Sequence, residues 1–230
     1  MQLDLIVNSA IANRGSVNTA ISLVVDRSAS MSPYVSKVVE SVKSLISDQD
    51  KIRGQASLSI SQFDHEYSVI LENQDIHKVD INQFERMYQI GGATAFYDAA
   101  LQAIFDMDTQ LKSMAEPAKR VVIALVTDGD DCASKWGSQE KLKQLIEEKH
   151  SLGWDFLLLG ADQNTLEVGE KLGIAQQKSA LFLADGDSVA KSVKLISQQV
   201  EKARRGKVIE ITDKDRAALL TLGAPLKTDL

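Results

Sequence analysis

The chain has 230 residues, of which 44% are hydrophobic and 25% charged, and this composition excludes a disordered or fibrous protein and is typical of one globular domain. Its net charge of -6 argues against a nucleic-acid-binding surface, because phosphate contacts need concentrated Lys and Arg. The single cysteine, Cys132, excludes a disulfide within the chain, so a reducing cytoplasm is the expected compartment. The sequence has no apolar run of bilayer length and no export signal at its first residues, so we expect neither membrane insertion nor export.

We expect three parts along the chain. An N-terminal extension covers residues 1–17, the domain itself covers residues 18–205, and a C-terminal extension covers residues 206–230. The first extension could add a strand and a turn. In the second, Thr212 could cap a short helix that runs to Leu220.

The domain begins with a buried strand at residues 19–25 that ends at Asp26. A helix follows, for which Ser32 is the expected N-cap and Pro33 the first helical residue. Residues 56–63 alternate polar and apolar side chains, and residues 67–71 form a second strand after the polar turn Asp64-His65-Glu66. Together they predict a hairpin at the sheet edge.

The second half of the domain alternates helices and strands. The loop Gly91-Gly92-Ala93-Thr94 opens a long helix with an apolar face, which ends before Pro117. The later predictions are a strand at 121–126 before Thr127-Asp128-Gly129, a helix at 138–150, a strand at 154–159, a helix at 164–172, a strand at 179–183, and a helix at 188–204 capped by Asp187.

This alternation predicts an α/β fold with a doubly wound, mostly parallel sheet of six strands, helices on both faces and one antiparallel edge strand. In such sheets ligands bind outside the carboxyl ends of the strands, where the strand order reverses. If the strands that end at Asp26 and Asp128 begin the two halves of the sheet, both carboxylates flank that crevice.

Oxygen-bearing side chains are concentrated at three of these loops. The first loop reads Asp26-Arg27-Ser28-Ala29-Ser30, the Gly-rich loop supplies Thr94, and a later strand ends at Asp128. Carboxylates and hydroxyls are hard ligands, which suit Mg2+, Mn2+ or Ca2+ rather than soft metals. Without a cation the two carboxylates would repel each other, so the pKa of at least one of them should be raised.

These five residues, in this order and context, resemble the metal-ion-dependent adhesion site of von Willebrand factor A domains, and the likeness in element order covers residues 18–204. The resemblance implies a Rossmann-like domain of bacterial or phage type that holds Mg2+, with Mn2+ or Ca2+ as other candidates. It implies hydroxyl ligation by Ser28, Ser30 and Thr94, and ligation by Asp26 and Asp128 directly or through water. It also implies a binding module, not an enzyme, whose metal accepts a Glu or Asp side chain from a protein partner.

The alternative is a Mg2+-dependent phosphatase of the haloacid dehalogenase type, which also places an Asp after its first strand. Such enzymes are expected to have a second Asp two residues later as general acid, and that position is Ser28 here.

Several nearby residues have simpler explanations. We expect Asp130 and Asp131 to lie in a solvated loop, Asp64-His65-Glu66 to be a turn and not a second cation site, and Cys132 to be a partly buried, unreactive thiol. The basic run 202–207 is expected to be a solvated helix end. For three aromatic residues near the motif, partner contact and core packing are equally compatible with the sequence: Tyr34, Tyr97 and Trp136.

Overall fold

A computed structural model describes residues 18–114 and 117–221, so the predicted extension at residues 1–17 and the last nine residues lie outside it. Six strands form one sheet in the order β3-β2-β1-β4-β5-β6. All neighbouring pairs are parallel except β2 and β3, as the sequence predicted. The strands are β1 (Thr19–Asp26), β2 (Ala56–Phe63), β3 (Tyr67–Asp75), β4 (Arg120–Thr127), β5 (Trp154–Gly160) and β6 (Ser179–Leu181).

Helices cover both faces of this sheet, which confirms the predicted doubly wound architecture. Helices α1, α2, α6 and α7 pack on one face, and α3, α4 and α5 pack on the other. Their bounds are α1 (Val35–Asp50), α2 (Gln83–Met87), α3 (Phe96–Ser113), α4 (Gln139–Ser151), α5 (Thr165–Lys171), α6 (Gly186–Arg204) and α7 (Asp213–Leu219). In the described part of the chain, no helix has the length and hydropathy to cross a bilayer.

The central strands β1 and β4 are apolar along most of their length. Every residue of β1 is buried, and β4 is buried from Val121 to Thr127. A strand with apolar side chains on both faces is stable only between two layers of helices, so these two strands lie in the middle of the sheet. Their register pairs Val25 with Val126, and Asp26 therefore ends beside Thr127 at the point where the strand order reverses.

The chain turns into a helical conformation sooner after β1 than the sequence indicated. A 3-10 helix spans Ala29–Tyr34 and leads directly into α1, so Ser32 and Pro33 lie inside it and the predicted N-cap at Ser32 is wrong. The turn forms early because Met31 N–H donates to the Ser28 carbonyl at 3.0 Å. This tight turn keeps Ser28 and Ser30 close to the end of β1.

Other boundaries differ in smaller ways. Helix α6 is capped by Asp185, whose carboxylate accepts the Ser188 N–H at 2.9 Å, and not by Asp187 as predicted. The strand predicted at residues 179–183 ends at Leu181, and the short helix α2 was not predicted.

The basic run at the end of α6 contains a fully buried side chain, so its prediction as a solvated helix end was wrong for Arg204. The Arg204 guanidinium donates to the carbonyls of Gln49, Ile52 and Gly54, the last two at 2.8 and 3.1 Å. These carbonyls lie at the end of α1 and in the turn before β2. Arg204 therefore joins α6 to α1 at the amino end of the sheet.

The segment after α6 returns to the sheet. Ile209, Ile211 and Leu219 are buried in the same core as α1 and α6, and Ile211 N–H donates to the Gln177 carbonyl at 2.7 Å. Thr212 caps helix α7, as the sequence predicted, and it forms a capping box with Asp215. This segment covers the core beside the short edge strand β6.

Candidate metal centre

Three loops meet at the carboxyl end of the sheet. The first, loop A, is residues 27–34 after β1; the second, loop B, is residues 88–95 before α3; the third, loop C, is residues 128–138 after β4. Backbone hydrogen bonds tie loop B to loop A, since Ala29 N–H donates to the Gly92 carbonyl at 2.9 Å and Gly91 N–H donates to the Arg27 carbonyl at 2.8 Å. The arrangement follows from the strand order, which places β1 and β4 side by side.

The Asp26 carboxylate is fully buried at the base of these loops. Its Oδ1 accepts the Ser28 N–H at 2.7 Å, and its Oδ2 accepts the Thr127 hydroxyl at 2.6 Å. An ionised carboxylate can accept about four hydrogen bonds. Asp26 therefore keeps the capacity to bind a further electron-pair acceptor.

A chain of hydroxyl contacts connects loop A to loop C. The Ser28 and Ser30 hydroxyl oxygens are 3.0 Å apart, and the Ser30 hydroxyl donates to Asp128 Oδ1 at 2.7 Å. Hydrogen-bond contacts therefore link four of the five candidate residues, in the order Asp26, Ser28, Ser30 and Asp128.

Thr94, the fifth candidate, is buried beside loop C. Its carbonyl accepts the N–H groups of Cys132 and Ala133, each at 2.9 Å. Its Oγ1 lies 3.9 Å from the position that a Cβ on Gly129 would occupy, so the hydroxyl faces the residue next to Asp128. The structure thus brings all five candidate residues to one end of the sheet.

Burial dominates the electrostatics of the two carboxylates. It raises the pKa of Asp26 to about 6, and it also raises the pKa of Asp128 above its ordinary value. Repulsion from Asp128 is a smaller cause of the shift at Asp26, so the expected rise is present but comes mainly from lost hydration. No Lys or Arg among the described residues forms an ion pair with either carboxylate, and the nearby Arg27 guanidinium is directed to Asp64 and the Gln89 carbonyl.

Asp64 supports the centre in a way that the sequence did not reveal. Its buried carboxylate accepts the Gly92 N–H at 2.6 Å and the Glu66 N–H at 2.8 Å, and it forms an ion pair with Arg27 at 3.0 Å. Burial raises the pKa of Asp64, but the N–H donors and Arg27 lower it more, so its pKa lies below the ordinary value. Asp64 therefore positions loops A and B while it forms the predicted turn.

The Gly91-Gly92 pair is the sequence signal that could have pointed to this role. A Cβ on Gly91 would lie only 1.6 Å from Asp64 Oδ2, so the close approach of loop B to the carboxylate requires glycine there.

Asp98, in the first turn of α3, fastens loop C. Its carboxylate accepts the backbone N–H groups of Lys135 at 2.8 Å, Trp136 at 3.2 Å and Gly137 at 2.5 Å. A Cβ on Gly137 would lie 2.8 Å from the Asp98 backbone nitrogen, so this contact also requires glycine. Loop C is therefore held against the helix that follows Thr94.

The remaining residues of loop C are only partly solvated. Asp130 is exposed as predicted, but Asp131 is half-buried and accepts the Ser134 hydroxyl at 2.5 Å and the Tyr97 N–H at 3.3 Å. Cys132 is exposed, so its prediction as a partly buried thiol was wrong.

The three aromatic residues near the motif differ in their exposure to solvent. Trp136 is 46% exposed. Tyr97 is half-buried against the core under α3, and Tyr34 is half-buried with its hydroxyl donating to the Ala184 carbonyl at 2.7 Å.

The chemistry of this donor set fits a hard divalent cation. Across residues 18–114 and 117–221, no three His, Cys, Asp or Glu side chains cluster closely enough to hold a metal, so carboxylates alone do not make a site. The centre instead combines two carboxylates with three hydroxyls. Two negative charges balance a divalent cation, and neutral hydroxyls complete part of its coordination, as Mg2+ and Mn2+ prefer.

Comparison with protein families assigns the fold. The family model for the von Willebrand factor type A domain matches residues 20–193, which span β1 to the middle of α6. A search of curated protein sequences found no significant match.

Solved structures show the same fold at low sequence identity. The PilB minor pilin from Streptococcus sanguinis matches with a TM-score of 0.63 and 14% identity over 83% of this chain and 63% of that chain. The vWF domain of the type V pili tip protein Mfa5 from Porphyromonas gingivalis matches with a TM-score of 0.60 and 9% identity over 86% of this chain and 99% of that one.

A third structure is proximal thread matrix protein 1 from the mussel byssus with a zinc-occupied MIDAS motif, at a TM-score of 0.56 and 15% identity. The match covers 79% of this chain and 46% of that chain. This chain thus spans about half the length of the mussel protein and 63% of the length of the pilin.

Proposed function

Because the chain belongs to the von Willebrand factor type A domain family, we propose that it is a metal-dependent protein-binding module. Asp26, Ser28, Ser30, Thr94 and Asp128 hold one divalent cation in this proposal. Mg2+ is the preferred ion, and Mn2+ or Ca2+ are the other candidates. An acidic side chain of a protein partner, Glu or Asp, completes the coordination.

The observation that carries this proposal is the hydroxyl chain across the crevice. Ser30 donates to Asp128 at 2.7 Å while it contacts Ser28 at 3.0 Å, so residues 98 positions apart already converge. The carboxylates at its two ends have hydroxyl and N–H partners but no cationic side chain among the described residues. A bound cation supplies the missing positive charge and a Lewis-acidic position for a carboxylate.

A metal-dependent rise in melting temperature tests the site directly. A ligand that binds only the folded state stabilises it by mass action, by about 2.7 kcal/mol at a hundredfold excess over the Kd. We expect Mg2+ or Mn2+ to raise the melting temperature of the wild type but not of Asp26→Ala. The matched control is Asp130→Ala, because Asp130 is an exposed acid in loop C outside the proposed ligand set. Equal metal responses in all three proteins would refute the site.

Capture experiments test the binding function. We expect wild-type protein in Mg2+ to retain a partner that is released by chelator and is not retained by Asp26→Ala. A partner retained equally under all these conditions would show that binding does not pass through the metal.

The phosphatase alternative lacks a group that its mechanism needs. The position of the general acid is Ser28, whose hydroxyl contacts Ser30 and whose N–H donates to Asp26. We therefore propose a non-enzymatic role, and turnover of a generic phosphate ester that Asp26→Ala abolishes would overturn it. Cytoplasmic location and a bacterial or phage setting stay predictions.

A further inference from the structure

Loop A is braced along its backbone at the point where it leaves β1. Each backbone donor and acceptor from the Asp26 carbonyl to the Ala29 N–H has a hydrogen-bond partner. The Arg27 carbonyl and the Ala29 N–H bond to loop B, and the Ser28 N–H bonds to the Asp26 carboxylate. A backbone segment whose polar groups are all paired has little freedom to move. The main chain that carries two of the five proposed ligands is therefore held in place by the fold itself.

One of these partners is a side chain of loop B. The Tyr88 hydroxyl donates to the Asp26 carbonyl at 2.7 Å, and Tyr88 is only 5% exposed. Burial and the negative charges of Asp26 and Asp128 raise the pKa of Tyr88, so its hydroxyl keeps the proton that it donates. This bond joins loop B to the residue at the base of the proposed site.

Tyr88 is itself fixed from two sides. Its ring stacks on Phe84 of α2 with the ring centroids 4.9 Å apart, and its N–H donates to the Phe84 carbonyl at 2.8 Å. The buried Gln62 amide in β2 donates to the Met87 carbonyl at 3.0 Å and accepts the Gln89 N–H at 3.2 Å. Gln62 therefore holds the main chain immediately before and after Tyr88. Strand β2 and helix α2 together set the position of the Tyr88 hydroxyl.

This bracing affects the candidate cations differently. Mg2+ demands a near-ideal octahedron of oxygens at about 2.1 Å, whereas Ca2+ accepts variable distances and numbers of ligands. Side chains on an immobile main chain keep the short and regular spacing that Mg2+ needs. A looser main chain weakens the binding of Mg2+ more than that of Ca2+, because Ca2+ adapts to displaced ligands.

We propose that Tyr88 is a positioning residue that, together with Gln62, fixes Asp26 and loop A in an arrangement that favours Mg2+ over Ca2+. The ion preference rests on the proposed function, while the bracing of loop A by Tyr88 does not. Tyr88 acts through the Asp26 backbone and is not a metal ligand.

Amide hydrogen exchange in chelator tests the bracing without metal. Tyr88→Phe removes the hydroxyl and keeps the ring, so the Ala29 and Gly91 amides, which join loops A and B, should exchange about tenfold faster than in the wild type. The matched control is Tyr67→Phe, which removes a phenol hydroxyl that donates to Asp106 of α3 at 2.8 Å. This control should leave both amides unchanged. Wild-type exchange in Tyr88→Phe, or equal acceleration in both variants, would overturn the proposal.

Isothermal titration with Mg2+ and with Ca2+ tests the ion preference. In Tyr88→Phe, the Mg2+ affinity should fall about tenfold and the Ca2+ affinity by less, so the ratio of the two affinities should drop. Tyr67→Phe should keep the wild-type ratio, although it too loses a phenol hydroxyl bonded inside the fold. A role in folding alone would lower stability without changing this ratio. Equal ratios in the wild type and Tyr88→Phe would overturn the ion preference.

A second variant tests the same bracing through Gln62. Gln62→Leu leaves the Tyr88 hydroxyl but removes both amide bonds that hold loop B, and it should also lower the ratio. The matched control is Gln110→Leu, which removes a similarly buried amide that accepts the Ser59 hydroxyl at 2.8 Å, and it should keep the ratio. An equal drop in both variants would overturn the role of Gln62.

Asp26→Ala separates this inference from the proposed function. Equal Mg2+ affinities of the wild type and Asp26→Ala would overturn the proposed function and the ion preference with it. The exchange of the Ala29 and Gly91 amides would still decide whether Tyr88 braces loop A, because that measurement uses no metal.

Discussion

The two ends of the sheet each contain a fully buried charge, and the chain surrounds these charges differently. At the amino end, the Arg204 guanidinium donates to three backbone carbonyls, and burial lowers its pKa only to about 10. At the carboxyl end, the Asp26 carboxylate accepts one N–H and one hydroxyl, and burial raises its pKa to about 6. Arg204 thus stays charged at neutral pH, while the Asp26 carboxylate titrates close to neutral pH.

The difference separates a charge with a structural role from one that binds a cation in the proposed function. The carbonyls around Arg204 come from the negative end of the α1 dipole and from the turn before β2, so folding itself supplies its partners. The carboxylate oxygens of Asp26 and Asp128, in contrast, accept fewer hydrogen bonds than they could. A buried charge with an incomplete set of partners lowers stability unless a ligand completes it.

Removal of the structural charge should have the largest effect. Arg204→Met leaves three carbonyls without their donor, and we expect the free energy of unfolding to fall by about 3 kcal/mol, measured by urea denaturation. The metal response of the folded variant should be unchanged. Arg205→Met is the control, because Arg205 pairs with Glu201 at the surface, where such pairs contribute at most about 1 kcal/mol. Equal losses in the two variants would contradict the comparison.

Asp64 shares features of both charges, because its two carboxylate oxygens have partners within the fold while it lies beside loops A and B. Asp64→Asn weakens the contact with Arg27 and should lower the free energy of unfolding by about 2 kcal/mol. It should also weaken Mg2+ binding in isothermal titration, since loop B loses its anchor at Gly92. Glu66→Gln, an exposed change in the same turn, should affect neither quantity. An unchanged Mg2+ affinity in Asp64→Asn would mean that loop B is held by other contacts.

The pH dependence of the metal-free protein should reveal the binding charge. The pKa of Asp26 is raised in the folded state, so its contribution to stability is fully present below the unfolded value of 3.8 and is lost as pH rises through about 6. We expect the metal-free protein to lose about 1 kcal/mol from this group between pH 5 and 7.5. With Mg2+ present, stability should instead rise with pH, because the cation competes with the proton for the Asp26 carboxylate. Asp26→Asn should flatten both curves in urea denaturation, and an unaltered pH profile would contradict this account.

Ser30→Ala should have the smallest effect on stability. The Ser30 hydroxyl is exposed, so loss of its bond to Asp128 should cost only about 0.5 kcal/mol of unfolding free energy. Mg2+ affinity should fall about tenfold if the hydroxyl is a ligand, which corresponds to about 1.4 kcal/mol. Ser32→Ala changes an exposed serine of the same 3-10 helix and should alter neither property. Equal Mg2+ affinities of the two variants would remove Ser30 from the ligand set.

The sequence predicted the parts of this comparison that depend on local pattern. The apolar runs of β1 and β4 identified central strands, and their polar ends identified Asp26 and Asp128. Parallel strands bring such ends to the same edge, so proximity followed from the strand order.

Features that depend on distant partners were missed. Arg204 belongs to a basic run at a helix end, and the carbonyls that bury it come from residues about 150 positions earlier. Asp64 occupies an ordinary turn, and its role depends on Arg27, 37 positions away, and on Gly92, 28 positions away. The predicted N-caps Ser32 and Asp187 were wrong because several polar residues near the start of each helix could act as the N-cap. Only the path of the chain determines which of them does so.

The exposed thiol of Cys132 gives the molecule one chemically unique handle. It lies four residues after Asp128, and its own N–H donates to the Thr94 carbonyl. A maleimide dye would therefore attach at a single position, on the backbone segment that joins two of the converging loops. Its emission would report rearrangement there in real time, without a genetically introduced label.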